Sequence, residues 1–155
     1  MNDNLDNFFD KCEVDDWSLL QQLNDQYEWL SGLTRLVRFE HSDVSGFTRN
    51  GDKICIELKD RGYDKPFTFD TVFIEKTKLD FLKERKAEGF KTAYINFMNN
   101  EAWVCDPLTD EWPWEWVWIY NKGKGCRERV KRWLIPRDHF KKFPFKIKVK
   151  PLYFK

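Results

Sequence analysis

The sequence predicts an α/β (α+β) domain, a mixed β-sheet flanked by helices, on three observations. Trp17, Leu20, Leu23, Tyr27 and Leu30 recur at three- and four-residue steps, the period of a helix with one buried face. Asn50-Gly51 joins two strand-like stretches, 43–49 and 53–60, as the turn of a β-hairpin. A short apolar stretch at 71–75 then runs into a helical pattern over 76–88 that buries Leu79 and Leu82 and ends before Gly89. Helix, hairpin, strand and helix in that order call for a sheet with helices packed on it.

Each element has its own signal. The first helix starts near Asp16, and Gly32 is its stop. After the second helix, 91–98 reads as a strand, and Asn99-Asn100 turns it into a partner at 101–106. The last third offers a strand at 112–120, a turn at 121–125, a basic strand at 128–135 closed by Pro136, and a short helix near Asp138.

At 155 residues the chain fits one domain over 1–155, with 1–15 as a candidate disordered segment and 138–155 as a basic C-terminal extension. Hydrophobic residues at 41% and charged residues at 34% indicate a globular rather than a disordered chain. Aromatics at 17% let it build a core from few, large side chains. No apolar run reaches the ~18 residues of a membrane helix. The acidic start, Met-Asn-Asp-Asn-Leu-Asp, lacks the form of a secretion signal, so the expected location is the cytoplasm, without a membrane partner. Cys12, Cys55, Cys105 and Cys126 form no C-x-x-C pair, and His41 and His139 complete no zinc pattern, which leaves free buried thiols as the expectation.

Charge is segregated. Residues 1–30 carry eight acids and one base, whereas 121–155 carry thirteen Lys or Arg and two acids. The basic end attracts polyanions, or else it is a solvated face partly neutralised by the acidic end.

The residues best suited to chemistry lie in Ile54-Cys55-Ile56-Glu57-Leu58-Lys59. On a strand Glu57 and Lys59 share one face, while Ile54, Ile56 and Leu58 point into the opposite, apolar layer. A carboxylate there suits a hard cation such as Mg²⁺ (or Mn²⁺), and an ammonium beside it can orient a water or offset charge on a phosphate. A second carboxylate is required, and Asp43 on the preceding strand is the candidate. A two-residue Asn50-Gly51 turn sets Asp43 opposite Leu58; a three-residue turn that includes Asp52, or one bulge, sets it opposite Lys59, and of these two registers only the latter builds a metal site.

Asp43, thirteen intervening residues and Glu57-x-Lys59 on a hydrophobic strand resemble the PD-(D/E)XK nuclease superfamily, with its restriction-endonuclease-like fold. The stretches Phe73-Ile74-Glu75-Lys76-Thr77-Lys78 and Tyr94-Ile95-Asn96-Phe97 are similar to small phage-type members. The resemblance covers about residues 17–135 as an order of elements, but only a few residues as motif. It implies that Asp43 and Glu57 bind Mg²⁺ and that Lys59 assists the attacking water. It also points to Glu28 as a further ligand from the first helix, and to Glu75 and Lys78 as polar groups in contact with nucleic acid. Ser42 stands where the family motif has Pro.

Trp112, Trp114, Trp116 and Trp118 alternate along one stretch, and Tyr120 continues the line. These rings form either a sheet face buried under a helix or a stacking platform for unpaired bases, flanked by Arg127, Arg129, Lys131 and Arg132. The tail, 141–155, alternates bases with apolar residues, as in a lysine-protected edge strand or a phosphate-contacting arm.

The function expected first is Mg²⁺-dependent hydrolysis of DNA phosphodiesters by an endonuclease or nickase. The alternatives are a catalytically inactive phage protein on the same scaffold that binds nucleic acid or other phage or host proteins, and an adaptor whose Trp face is the interface. A phage-encoded chain would work in the host-cell cytoplasm.

Overall fold

The computed structural model of the chain describes residues 16–37 and 42–147, with side chains at 16–35 and 44–147. Helix α1 covers residues 16–27. Strands β1 (Leu30–Val37), β2 (Ser42–Thr48), β3 (Lys53–Asp60) and β4 (Thr71–Glu75) follow. Helix α2 (Lys76–Ala87) precedes β5 (Lys91–Met98) and β6 (Glu101–Cys105). The chain continues with β7 (Trp114–Asn121), β8 (Cys126–Pro136), a 3₁₀ turn at Arg137–His139 and β9 (Lys141–Pro144). The architecture is mixed α+β.

Two sheets form. Sheet A has the order β1-β2-β3-β5-β6-β9, and sheet B has the order β4-β8-β7. In sheet A, β3 and β5 are parallel and the other pairs are antiparallel. The connection between the parallel pair runs through β4 and α2, the crossover that parallel neighbours need.

Both faces of sheet A are covered. On one, Val44, Ile56, Leu58, Ile95 and Phe97 pack with Leu19, Leu20 and Leu23 of α1. On the other, Cys55, Tyr94, Met98 and Trp103 pack with Leu79 and Leu82 of α2 and with Val72, Ile74 and Ile135 of sheet B. This two-sided burial explains why β3 and β5 read as nearly continuous apolar runs.

Two expectations change at the N-terminal end. Leu30 begins β1 instead of ending α1, because the backbone reverses at Glu28 in the left-handed region (φ 56°). Asn24 then fixes the start of β1 with two hydrogen bonds, Nδ2 donating to Leu30 O and Leu30 N–H donating to Oδ1, both 2.9 Å. Gly32 (φ 58°) therefore stops no helix and lies at a register irregularity in β1, where a Cβ would come within 3.0 Å of the Phe47 ring.

The segment 138–155 is not wholly an extension. Residues 141–144 extend sheet A as its β9 edge, and Phe140 and Phe145 are buried. Residues 1–15 and 148–155 lie outside the described residues.

Among the described residues Trp103 is the largest fully buried side chain, and it belongs to the second core. Trp103→Ala should cost about 3–5 kcal/mol in urea unfolding. Phe69→Ala, at a position 69% exposed, should change stability by less than about 0.5 kcal/mol.

Candidate functional site

The hairpin turn decides the geometry of the site. Gly51 N–H donates to Thr48 O and Thr48 N–H donates to Asp52 O, both at 2.9 Å, closing a loop of Arg49, Asn50 and Gly51. Gly51 takes φ 84°, a conformation that costs glycine little. The loop thus recruits Arg49 rather than Asp52, and neither register considered from the sequence applies. Asp43 pairs directly with Glu57, Val44 with Ile56 and Phe47 with Lys53. Cross-strand partners share a face, so Asp43 and Glu57 meet at one level of the sheet. The side chain of Asp43 lies outside the described residues.

Arg49 also explains why the loop takes this form. Its Nε donates to Glu28 O at 2.8 Å and its terminal nitrogen to Tyr27 O at 2.6 Å, so a cation caps the end of α1. These bonds place Glu28 at the turn end of the hairpin. Glu57 lies some five residues along β3 from the turn, roughly 17 Å at ~3.3 Å per residue. Glu28 is exposed there and does not join the site.

Glu57 is 3% exposed, although it is a carboxylate on a central strand. Lys78, in the first turns of α2, places Nζ 2.8 Å from its Oε1. An ion pair this enclosed offsets the cost of desolvating the carboxylate and adds little net stability. Lys59 stands exposed two residues further on the same face. Glu75, the last residue of β4, precedes α2 and caps it with no side-chain hydrogen bond. Glu57, Lys59, Glu75 and Lys78 all border a pocket of about 70 Å³.

Arg61, Phe73 and Tyr94 complete its walls, and sequence reasoning gave none of the three a place in the site. Arg61 continues the alternation begun by Glu57 and Lys59, so the signal was present. Its Nε donates to Asn96 Oδ1 at 2.6 Å, and a terminal nitrogen donates to Phe73 O and to Tyr94 Oη, both at 2.9 Å. Tyr94 lies beside Glu57 in the parallel β3–β5 pairing and donates to Phe73 O at 2.8 Å. Burial pushes its hydroxyl up to about 12, against the opposing pull of the Arg61 charge. It therefore stays a neutral donor at physiological pH. Nothing in the sequence announced that β3 and β5 would be neighbours.

The tryptophan line divides. Trp112 lies before β7 and is half-buried, donating from Nε1 to Pro107 O at 2.8 Å. Trp114, Trp116, Trp118 and Tyr120 are 51%, 49%, 61% and 62% exposed, so no helix covers that face. Lys131 and Arg129 pair across from Trp116 and Trp118, and Arg127 from Tyr120. Arg132 belongs to the other face, because its position in β8 has the opposite parity. It pairs with Glu115 at 3.3 Å and lies over the Phe73 ring at 4.4 Å.

Cys55 and Cys105 are buried, and burial pushes the Cys105 thiol up to about 12. Cys126 is exposed, contrary to the expectation for a thiol of this chain, and Cys12 lies outside the described residues. Among the described residues no group of three or more His, Cys, Asp or Glu gathers to hold a metal ion. No described helix is long and apolar enough to cross a membrane. No family model matches the chain, and no match is found among curated proteins or solved structures.

Removing the Lys78 ammonium leaves an enclosed carboxylate without that counter-charge. Lys78→Ala should therefore lower unfolding stability by about 1–3 kcal/mol. Lys76→Ala, which breaks the exposed pair with Asp80, should cost under about 0.5 kcal/mol in the same urea titration.

Proposed function

We propose that the chain is a metal-dependent phosphodiesterase acting on DNA, with Asp43, Glu57 and Lys59 as its reacting set. The observation that carries this reading is the pairing of Asp43 with Glu57, with Lys59 two residues further along β3. Glu57 and Lys59 then share one face of β3, and Asp43 occupies the register position opposite Glu57. The resemblance to PD-(D/E)XK nucleases is supported by the order around this motif: a helix before the hairpin, and a strand and a helix after the Glu-x-Lys strand.

The donor chemistry suits Mg²⁺ or Mn²⁺. Asp43 and Glu57 offer carboxylate oxygens, the donors such ions take, and Glu75 borders the same pocket. Lys78 holds one Glu57 oxygen and would have to share or release it. A bound divalent ion supplies charge stabilisation to the phosphodiester. The chain's own groups do the rest. Lys59, exposed and making no ion pair among the described residues, orients the attacking water and offsets charge growing on the phosphate. Arg61 is held rigidly by Asn96, Tyr94 and Phe73 and adds a fixed positive charge to the wall.

The second reading is a binding protein on this scaffold without chemistry. What favours it is the Lys78–Glu57 ion pair, which already neutralises the carboxylate a metal would need. Under that reading the partners are nucleic acid or other proteins, phage or host, bound without turnover.

Cleavage of labelled DNA separates the two. The hydrolytic reading expects cleavage with Mg²⁺ or Mn²⁺ that stops in EDTA. It should fall roughly 10²-fold or more in Glu57→Ala and in Lys59→Ala, both still folded by circular dichroism. Cleavage that persists in both variants, or none with any divalent ion, contradicts it.

A further inference from the structure

Sheet B is covered over only part of its length. β4 pairs with β8 from Arg132 to Pro136, and beyond that point β7 and β8 continue as a two-stranded ribbon. The face that carries Ile74, Trp133 and Ile135 is packed into the core near β4. The same face is open along the ribbon, where it carries the exposed rings. A two-stranded ribbon is marginal by itself. Here the cations of one strand lie over the rings of the other: Lys131 over Trp114 at 3.9 Å, Arg129 over Trp116 at 4.6 Å and Arg127 over Trp118 at 5.6 Å. These contacts stiffen the ribbon.

The ladder has unspent charge. Among the described residues none of Arg127, Arg129 and Lys131 forms an ion pair. A protein interface is depleted of charge at its centre, whereas three like charges interleaved with rings call for a polyanion. Rings recur every two residues, ~6.6 Å, about twice the 3.4 Å step between stacked bases. Indole faces and guanidinium planes both stack on bases, but only where the bases are not already paired. A duplex could offer the ladder only its phosphates.

We infer that the β7–β8 ladder binds single-stranded nucleic acid and guides it toward the Glu57 pocket. The exposed ribbon is about 20 Å long, room for roughly four bases at one per ring. At its base a cleft of about 450 Å³ is bordered by Trp116, Arg129 and Lys131 on the ribbon and by Lys76 and Lys78 of α2, four cations against the two acids Glu75 and Glu128. Glu75 and Lys78 border both this cleft and the Glu57 pocket, so the cleft adjoins the reacting groups. The guiding half of this inference rests on the hydrolytic reading; the binding half does not.

The test uses the full chain in EDTA, so that binding is read without metal-dependent cleavage. The probes are a fluorescein-labelled 12-nucleotide single strand, as DNA and as RNA, and the corresponding DNA duplex. Either single strand should quench tryptophan emission and bind at least tenfold tighter than the duplex. The logarithm of its binding constant should fall with log salt at a slope of about −2, as three contacted phosphates require. Arg127→Gln with Arg129→Gln should reduce the slope to about −0.7, and Trp118→Ala should weaken binding at least about fivefold. The glutamine pair leaves every ring in place, so it serves if Trp118→Ala unfolds the ribbon. Duplex bound as tightly as single strand, affinity unchanged in both variants, or a self-dimer lost in the glutamine variant would overturn the inference. Intact binding in a chain that never cleaves with Mg²⁺ or Mn²⁺ would overturn only the hydrolytic reading.

Discussion

The register of β2 against β3 is the constraint on which the site depends. It is set at the turn, where Gly51 adopts a left-handed backbone and Arg49 reaches back to the last carbonyls of α1. The hairpin is thereby tied to the helix that covers its apolar face, and Val44, Ile56 and Leu58 are held against Leu19, Leu20 and Leu23. A slip of one residue would send that apolar set to the opposite face, at the cost of a whole core layer. The same burial that fixes the fold therefore fixes Asp43 opposite Glu57.

The opposite face of β3 faces a different problem. Glu57 is enclosed by α2 and by Tyr94 of β5, where a lone carboxylate would be costly. Lys78 answers with a direct ion pair, while the neighbouring Arg61, Asn96 and Tyr94 bond to one another and to the Phe73 carbonyl of β4. Sheet B thus does more than cover a core. Its β4 edge braces the charged pocket, and its β7–β8 end presents rings and cations to solvent. Both features meet at the start of α2, whose lysines border the pocket and the ribbon.

Much of this was legible from pattern. The bounds of β3, β4 and β5 follow from apolar runs between turn residues, and α2 from Leu79, Leu82 and the Gly89 stop. What escaped depended on contacts between distant residues. Leu30 and Gly32 fit a helix end as well as a strand, until Asn24 bonds the Leu30 backbone. Asn50-Gly51 located the hairpin, but the loop length turned on Arg49 finding acceptors in α1. The alternation of Trp114, Trp116 and Trp118 showed that they share a face, yet alternation is silent on whether anything covers it. Arg132 could have been separated from Arg127, Arg129 and Lys131 by strand parity alone. The Lys78–Glu57 pair joins residues from separate elements, and no local signal marks it.

The central claim is that Asp43 and Glu57 converge on one divalent ion. Nuclear magnetic resonance of the ¹⁵N-labelled chain during a Mn²⁺ titration reads this directly, because a bound paramagnetic ion broadens the amides nearest to it. The account predicts that Asp43, Glu57, Leu58 and Lys59 broaden first and together, and that Glu57→Gln abolishes the effect. Broadening centred elsewhere, or broadening of Glu57 without Asp43, would contradict it.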